Sequence, residues 1–199
     1  DDETLGWFRE SLAAFDAALR VCGRETYPAC WAAAQNGRGG ALYSIGHRTR
    51  GDANSAFSHF RQSLVAFDAA LSEQRLDMAP LDWAETHRSR GDMLRQYGSW
   101  AVGGFGAIYD VLAIEGYRRA LDVINPQSMP VLWHELNSTI VAMIPQDTLR
   151  DEDARLRLAH LRAALDGLAP GDDPQLWADQ KMALVGQLLY LGMDAEAEE

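Results

Sequence analysis

A twelve-residue segment occurs twice in this chain, and no other feature constrains the fold as much. Phe8-Arg-Glu-Ser-Leu-Ala-Ala-Phe-Asp-Ala-Ala-Leu19 returns as Phe60-Arg-Gln-Ser-Leu-Val-Ala-Phe-Asp-Ala-Ala-Leu71, with ten of twelve positions identical at a shift of 52. A second signature, Pro-x-x-Trp, occurs four times, at Pro28/Trp31, Pro80/Trp83, Pro130/Trp133 and Pro174/Trp177. Each Trp follows an Ala-Leu pair by twelve residues: Leu19, Leu71, Leu121 and Leu165. The steps between copies are 52, 50 and 44 residues while the internal twelve is constant. Self-similarity at such a period is the mark of a repeat architecture, in which each unit buries its apolar face against the next.

The spacing inside the repeat is helical. Leu5, Phe8, Leu12, Phe15 and Leu19 step by three and four, as do Phe57, Phe60, Leu64, Phe67 and Leu71, which puts each set on one stripe of an α-helix. Ile114, Tyr117 and Leu121, then Leu158, Leu161 and Leu165, continue the pattern. Proline suits the first turn of a helix, where its missing N–H costs nothing. The spacing therefore predicts a leading helix over 4–22, Trp helices over 28–46, 80–98, 130–144 and 174–192, and partner helices over 53–75, 104–124 and 150–168. Gly46 to Gly51, Gly103-Gly104-Phe105-Gly106, Pro145 and Gly171-Asp172-Asp173 mark the connections. The expected fold is all-α, seven to eight helices in antiparallel pairs. One repeat domain is expected over 1–199, with units near 28–79, 80–129, 130–173 and 174–199.

These features resemble the tetratricopeptide repeat family over nearly the whole chain. The family's second-helix pattern, a small residue, then an aromatic, then Ala, stands here as Ser11-x3-Phe15-x2-Ala18, Ser63-x3-Phe67-x2-Ala70 and Ala113-x3-Tyr117-x2-Ala120. Its small first-helix position is Gly39 and Gly91, with Val141 and Val185 in the last two units. The family period is about 34 residues, so these units resemble a longer-helix bacterial variant opening on Pro80-Leu81-Asp82-Trp83-Ala84. The resemblance implies a right-handed α-solenoid whose first helices line a concave surface.

Composition narrows the partners. The net charge of −11 lacks the basic footprint that nucleic acid requires. No apolar run is long enough for a membrane span. The charge is uneven: residues 150–199 hold eleven acids and five bases, whereas 20–100 hold ten Arg and eight acids. An acidic partner would prefer the front half, and the tail Asp194 to Glu199 reads as a frayed, solvated end. The chain starts at Asp1 and not Met, so a removed leader or longer preceding part is expected.

No motif calls for a cofactor or metal. His134-Glu135 lacks the second His of a zinc-protease helix, because Ser138 stands at the required position. His47 and His59 have no third ligand nearby. Asp151-Glu152-Asp153 begins a helix, where carboxylates favour the dipole, and Thr148 with Asp151 resembles a capping arrangement. Gly37-Arg38-Gly39-Gly40 is no phosphate loop, since it lies within a predicted helix. Gly37 and Gly40 there each cost roughly 1 kcal/mol of helix propensity. Trp100, beside the glycine-rich turn, serves either as an exposed anchor or as hinge packing. The four repeat Trp are expected in the core, so that Trp83→Ala would cost about 3–5 kcal/mol.

Two further expectations concern sites. Cys22 and Cys30, the only cysteines, flank the first turn; helix ends so close can be bridged, and the closed loop would stabilise by roughly 2.5 kcal/mol. A bridge implies a periplasmic or exported protein, and its absence a cytoplasmic one. The binding surface is expected on the Trp helices, at Asn36, Tyr43, Arg88, Arg95 and Ser138. Arg88 and Arg95, seven apart, share a face and suit a carboxylate or acidic peptide, unless they merely pair with Glu85 or Asp92. The expected role is a non-enzymatic scaffold that binds a protein or peptide. The alternatives are a small-ligand receptor or all-α enzyme using the groove as a pocket, and a structural module that self-associates.

Overall fold

A computed structural model describes residues 2–49, 51–101, 106–144, 151–166 and 168–197. Helix is the only regular structure among them. The elements are α1 (Asp2–Val21), α2 (Pro28–Arg48), α3 (Ala53–Glu73), α4 (Pro80–Trp100), α5 (Gly106–Leu121), α6 (Pro130–Met143), α7 (Asp151–Asp166), α8 (Pro174–Tyr190) and the short α9 (Asp194–Ala197). Each Pro-x-x-Trp opening starts a helix, with proline in the first turn. The repeat extends to the backbone before them. Tyr27, Ala79 and Met129 hold φ, ψ of −139°, 63°; −141°, 65°; and −141°, 62°. Each donates its N–H to the carbonyl four residues earlier, at Gly23, Arg75 and Asn125, and accepts from the N–H of the following Trp. One turn chemistry is thus written three times. The capping arrangement expected at Thr148 lies outside the described residues.

The chain divides into two compact units, residues 1–123 and 124–199. In the first, α2 packs on α3 and α4 on α5, with α1 against α2 and α4 against both α2 and α3. The close approach within each pair has a specific cause. A Cβ on Gly39 would stand 2.8 Å from the Phe67 ring, and one on Gly91 2.8 Å from the Tyr117 ring. A glycine on the Trp helix therefore forms a notch for the repeat aromatic of its partner. Ser63 completes the first fit, donating its Oγ–H to the Gly39 carbonyl at 2.7 Å. Gly37 does the same for Phe15 of α1, which accounts for a mid-helix glycine that helix propensity disfavours. Leu42 and Leu94, each eleven residues after Trp, are 1% exposed and fill the space between helices.

The repeat Trp residues depart from expectation. Trp31, Trp83, Trp133 and Trp177 are half-buried, while the alanines next to the first two, Ala32 and Ala84, are fully enclosed. Trp occupies the first helical turn, at the rim of each pair, where a small residue fits the interface and the indole lies across its edge. There the rings make polar contacts. The Arg24 guanidinium sits 5.1 Å over Trp31, and Trp83 meets His87 edge-on at 4.2 Å. Trp133 Nε1–H donates to the Ala163 carbonyl at 2.7 Å, one of the acceptors that the end of α7 leaves without an intrahelical donor.

In residues 124–199, α6 packs on α7, α7 on α8 and α8 on α9. Val141, Leu158, Leu161, Leu184 and Leu188 form the core, with Leu165, Met193 and Ala197 against it. Polar groups replace the glycine notches. His160 Nδ1–H donates to Asn137 Oδ1 at 2.7 Å, and Asn137 Nδ2 donates to the Trp133 carbonyl at 2.8 Å. The acidic tail, expected to be solvated, is partly tied down: α9 packs on α8, and Glu196 pairs with Arg162.

Candidate functional site

Trp100 does not project as an anchor. Its ring packs edge-on against Phe57 and Phe60, at 6.1 and 5.6 Å, within an aromatic cluster that includes Tyr97.

Residues 1–123 hold an open groove of about 390 Å³ bordered by α1, α2, α3 and α4. Phe8 and Phe15 of α1 and Phe67 of α3 give it apolar walls, Gly37, Gly40 and Ala41 lie on its α2 side, and Arg88, Ser89 and Asp92 form the α4 rim. Gly40 differs from its neighbours Gly37 and Gly39, because a Cβ there would meet nothing within 4 Å. It keeps a helix surface bare where no packing requires it.

Of the expected binding residues, Tyr43 and Arg88 line this groove. Asn36 is half-buried on α2 and does not line it. Arg95 is exposed on α4, beside the Tyr117 phenol. Ser138 belongs to residues 124–199, where its hydroxyl lies 3.3 Å from His134 Nε2. The periodicity of the Trp helices identified two lining residues but missed the wall from α1, because the repeat shows that α1 has an apolar stripe without showing which part stays open.

The rim is polar and internally paired. Arg88 donates from Nη2 and Nε to Glu85 at 2.6 and 3.0 Å, and from Nη1 to Asp92 Oδ2 at 3.3 Å. The other Asp92 oxygen accepts the Tyr117 hydroxyl at 2.9 Å. Burial first, and the Asp92 carboxylate second, push the Tyr117 phenol well above its ordinary pKa, so it remains a donor at any physiological pH. One turn away, burial together with the Arg90 and Arg119 charges brings His87 down to about 4, which keeps it neutral.

Cys22 and Cys30 are joined by a disulfide with a Cα separation of 5.7 Å. It ties the end of α1 to the start of α2, the same helices that form two sides of the groove.

No protein-family model, curated protein or solved structure matches the chain.

Proposed function

We propose that this chain is a non-catalytic binding scaffold, its helix pairs stacking as a tetratricopeptide-like solenoid and its groove receiving a segment of another protein. The observation that carries the reading is Gly40: a mid-helix glycine costs about 1 kcal/mol, and this one lines a groove where no packing excludes a side chain. Glycine lets a bound backbone or side chain come close to the helix. Aromatic walls supply apolar contact, and the hydroxyls of Ser11, Ser44 and Ser89 supply adaptable hydrogen bonds at the rim.

The test is to fill the groove without unfolding the protein. Gly40→Leu adds a good helix former in open space, so its melting temperature should equal or exceed the parent's. Immobilised parent and variant are then compared for capture from a lysate of the source organism, with Val65→Ala on the exposed face of α3 as control. A protein retained by the parent and the control but lost from Gly40→Leu supports the groove; equal retention by all three removes it. The acidic character of the partner is tested separately by Arg88→Ala/Arg95→Ala. Loss of several kcal/mol of affinity means desolvated contacts to a carboxylate, whereas less than about 1 kcal/mol means that these arginines serve only their own helix.

A further inference from the structure

We propose that the Cys22–Cys30 disulfide is a redox-sensitive strap that holds α1 in place as one wall of the groove. The inference rests on the groove reading above. Among the described helices, α1 packs against α2 alone. Its stripe of Leu5, Phe8, Leu12, Phe15 and Leu19 is half-buried throughout, so burial holds it less firmly than the enclosed helices beside it. Its other ties are the Phe15 ring seated against Gly37, a partly solvated ion pair, Asp16 to Arg38 at 2.8 Å, and the Arg48 guanidinium 4.6 Å over the Phe8 ring. Such charged pairs hold little in water. The crosslink is the covalent tie between the two helices.

The strap is also open to exchange. Cys30 is exposed while Cys22 is buried. Cys30 is the third residue of α2, where the unpaired N–H groups and the helix dipole stabilise a thiolate. A stabilised thiolate favours the reduced pair and makes the bond easier to reduce. A dithiol supplies the two electrons. One of its thiolates attacks Cys30 Sγ, forms a mixed disulfide and expels the Cys22 thiolate. Its second thiolate then attacks the reductant's own sulfur in that mixed disulfide and releases Cys30. The dithiol ends as a disulfide, and its two protons pass to the two cysteine sulfurs. With the loop no longer closed, the equilibrium for local opening of α1 shifts on the order of 50-fold. An open α1 takes Phe8, Ser11 and Phe15 out of the groove, so reduction dismantles the site while the α2–α5 pairs remain.

Hydrogen exchange read by mass spectrometry on the full chain tests this. Three forms are compared: oxidised protein, protein reduced with dithiothreitol, and Cys22→Ser/Cys30→Ser without reductant. Amides of α1 should exchange on the order of 50-fold faster in both forms that lack the bridge, while those of α3 to α5 keep their rates. Unchanged α1 rates overturn the proposal. Equal acceleration from α1 to α5 also overturns it, since the bridge would then support the unit as a whole. Either failure leaves the groove reading intact, because the Gly40→Leu comparison, run without reductant, does not depend on what the bridge holds.

Discussion

Trp83 and His87 show how single residues here answer to their position at the rim. Because Trp83 is half-buried, Trp83→Ala should cost about 2 kcal/mol, below the range for an enclosed aromatic. Tyr117, 0% exposed, falls in that higher range when cut to Ala, and urea denaturation of the two variants gives the comparison. His87 makes stability depend on pH. Its folded pKa of about 4 lies below the unfolded value near 6.5, so between those values the unfolded chain binds the proton and the folded chain does not. This group contributes no pH dependence above that window, and stability falls as pH drops through it. His87→Gln should flatten the decline in urea midpoint between pH 7 and 4.5, and an unchanged decline would assign it to other groups. The identity and spacing of these residues were visible in the sequence. Their half-buried state was not, because periodicity reports which stripe a residue occupies and not how near the helix end it lies.

At the scale of the helix, spacing is set by the absence of a methyl group. Gly91→Ala would bring a Cβ to 2.8 Å from the Tyr117 ring and 3.2 Å from the Ala113 carbonyl. Overpacking of this kind should destabilise by about 1–3 kcal/mol. Gly40→Ala meets nothing and should stabilise by roughly 1 kcal/mol through helix propensity. Two glycine-to-alanine changes in adjacent helices of one unit are thus expected to have opposite signs, and thermal melts decide it directly. The starts of the Trp helices were legible to the residue because a Pro marks each one; the ends were not, with α2 and α4 running two residues past the expected 46 and 98 and α5 stopping at Leu121, three short of the expected 124. The reason for Gly37 was not legible, since its aromatic, Phe15, comes from α1, outside the unit that holds the glycine.

The two compact units are built by different means. Residues 1–123 rely on notches filled by rings, whereas 124–199 use Val141 in place of the notch glycine and bury Asn137 with its hydrogen-bonded partners. Asn137→Ala leaves the Trp133 carbonyl and His160 without this partner, and should cost about 1–3 kcal/mol, read as faster amide exchange within residues 124–199. The sequence already marked this difference through Val141 and Val185, but not the polar replacement, because Asn137 and His160 lie 23 residues apart and meet only across helices. The notch and its ring have a consequence for how such a chain can change length. Gly39 and Phe67 are 28 positions apart, Gly91 and Tyr117 26, and each fit needs both members. An insertion inside a helix rotates one member away from the other, while copying or excising one whole step of about fifty carries every matched pair along intact. Changes of length inside the paired helices are therefore expected in whole units, while the connections absorb smaller ones, as the spacings of 28 and 26 already show.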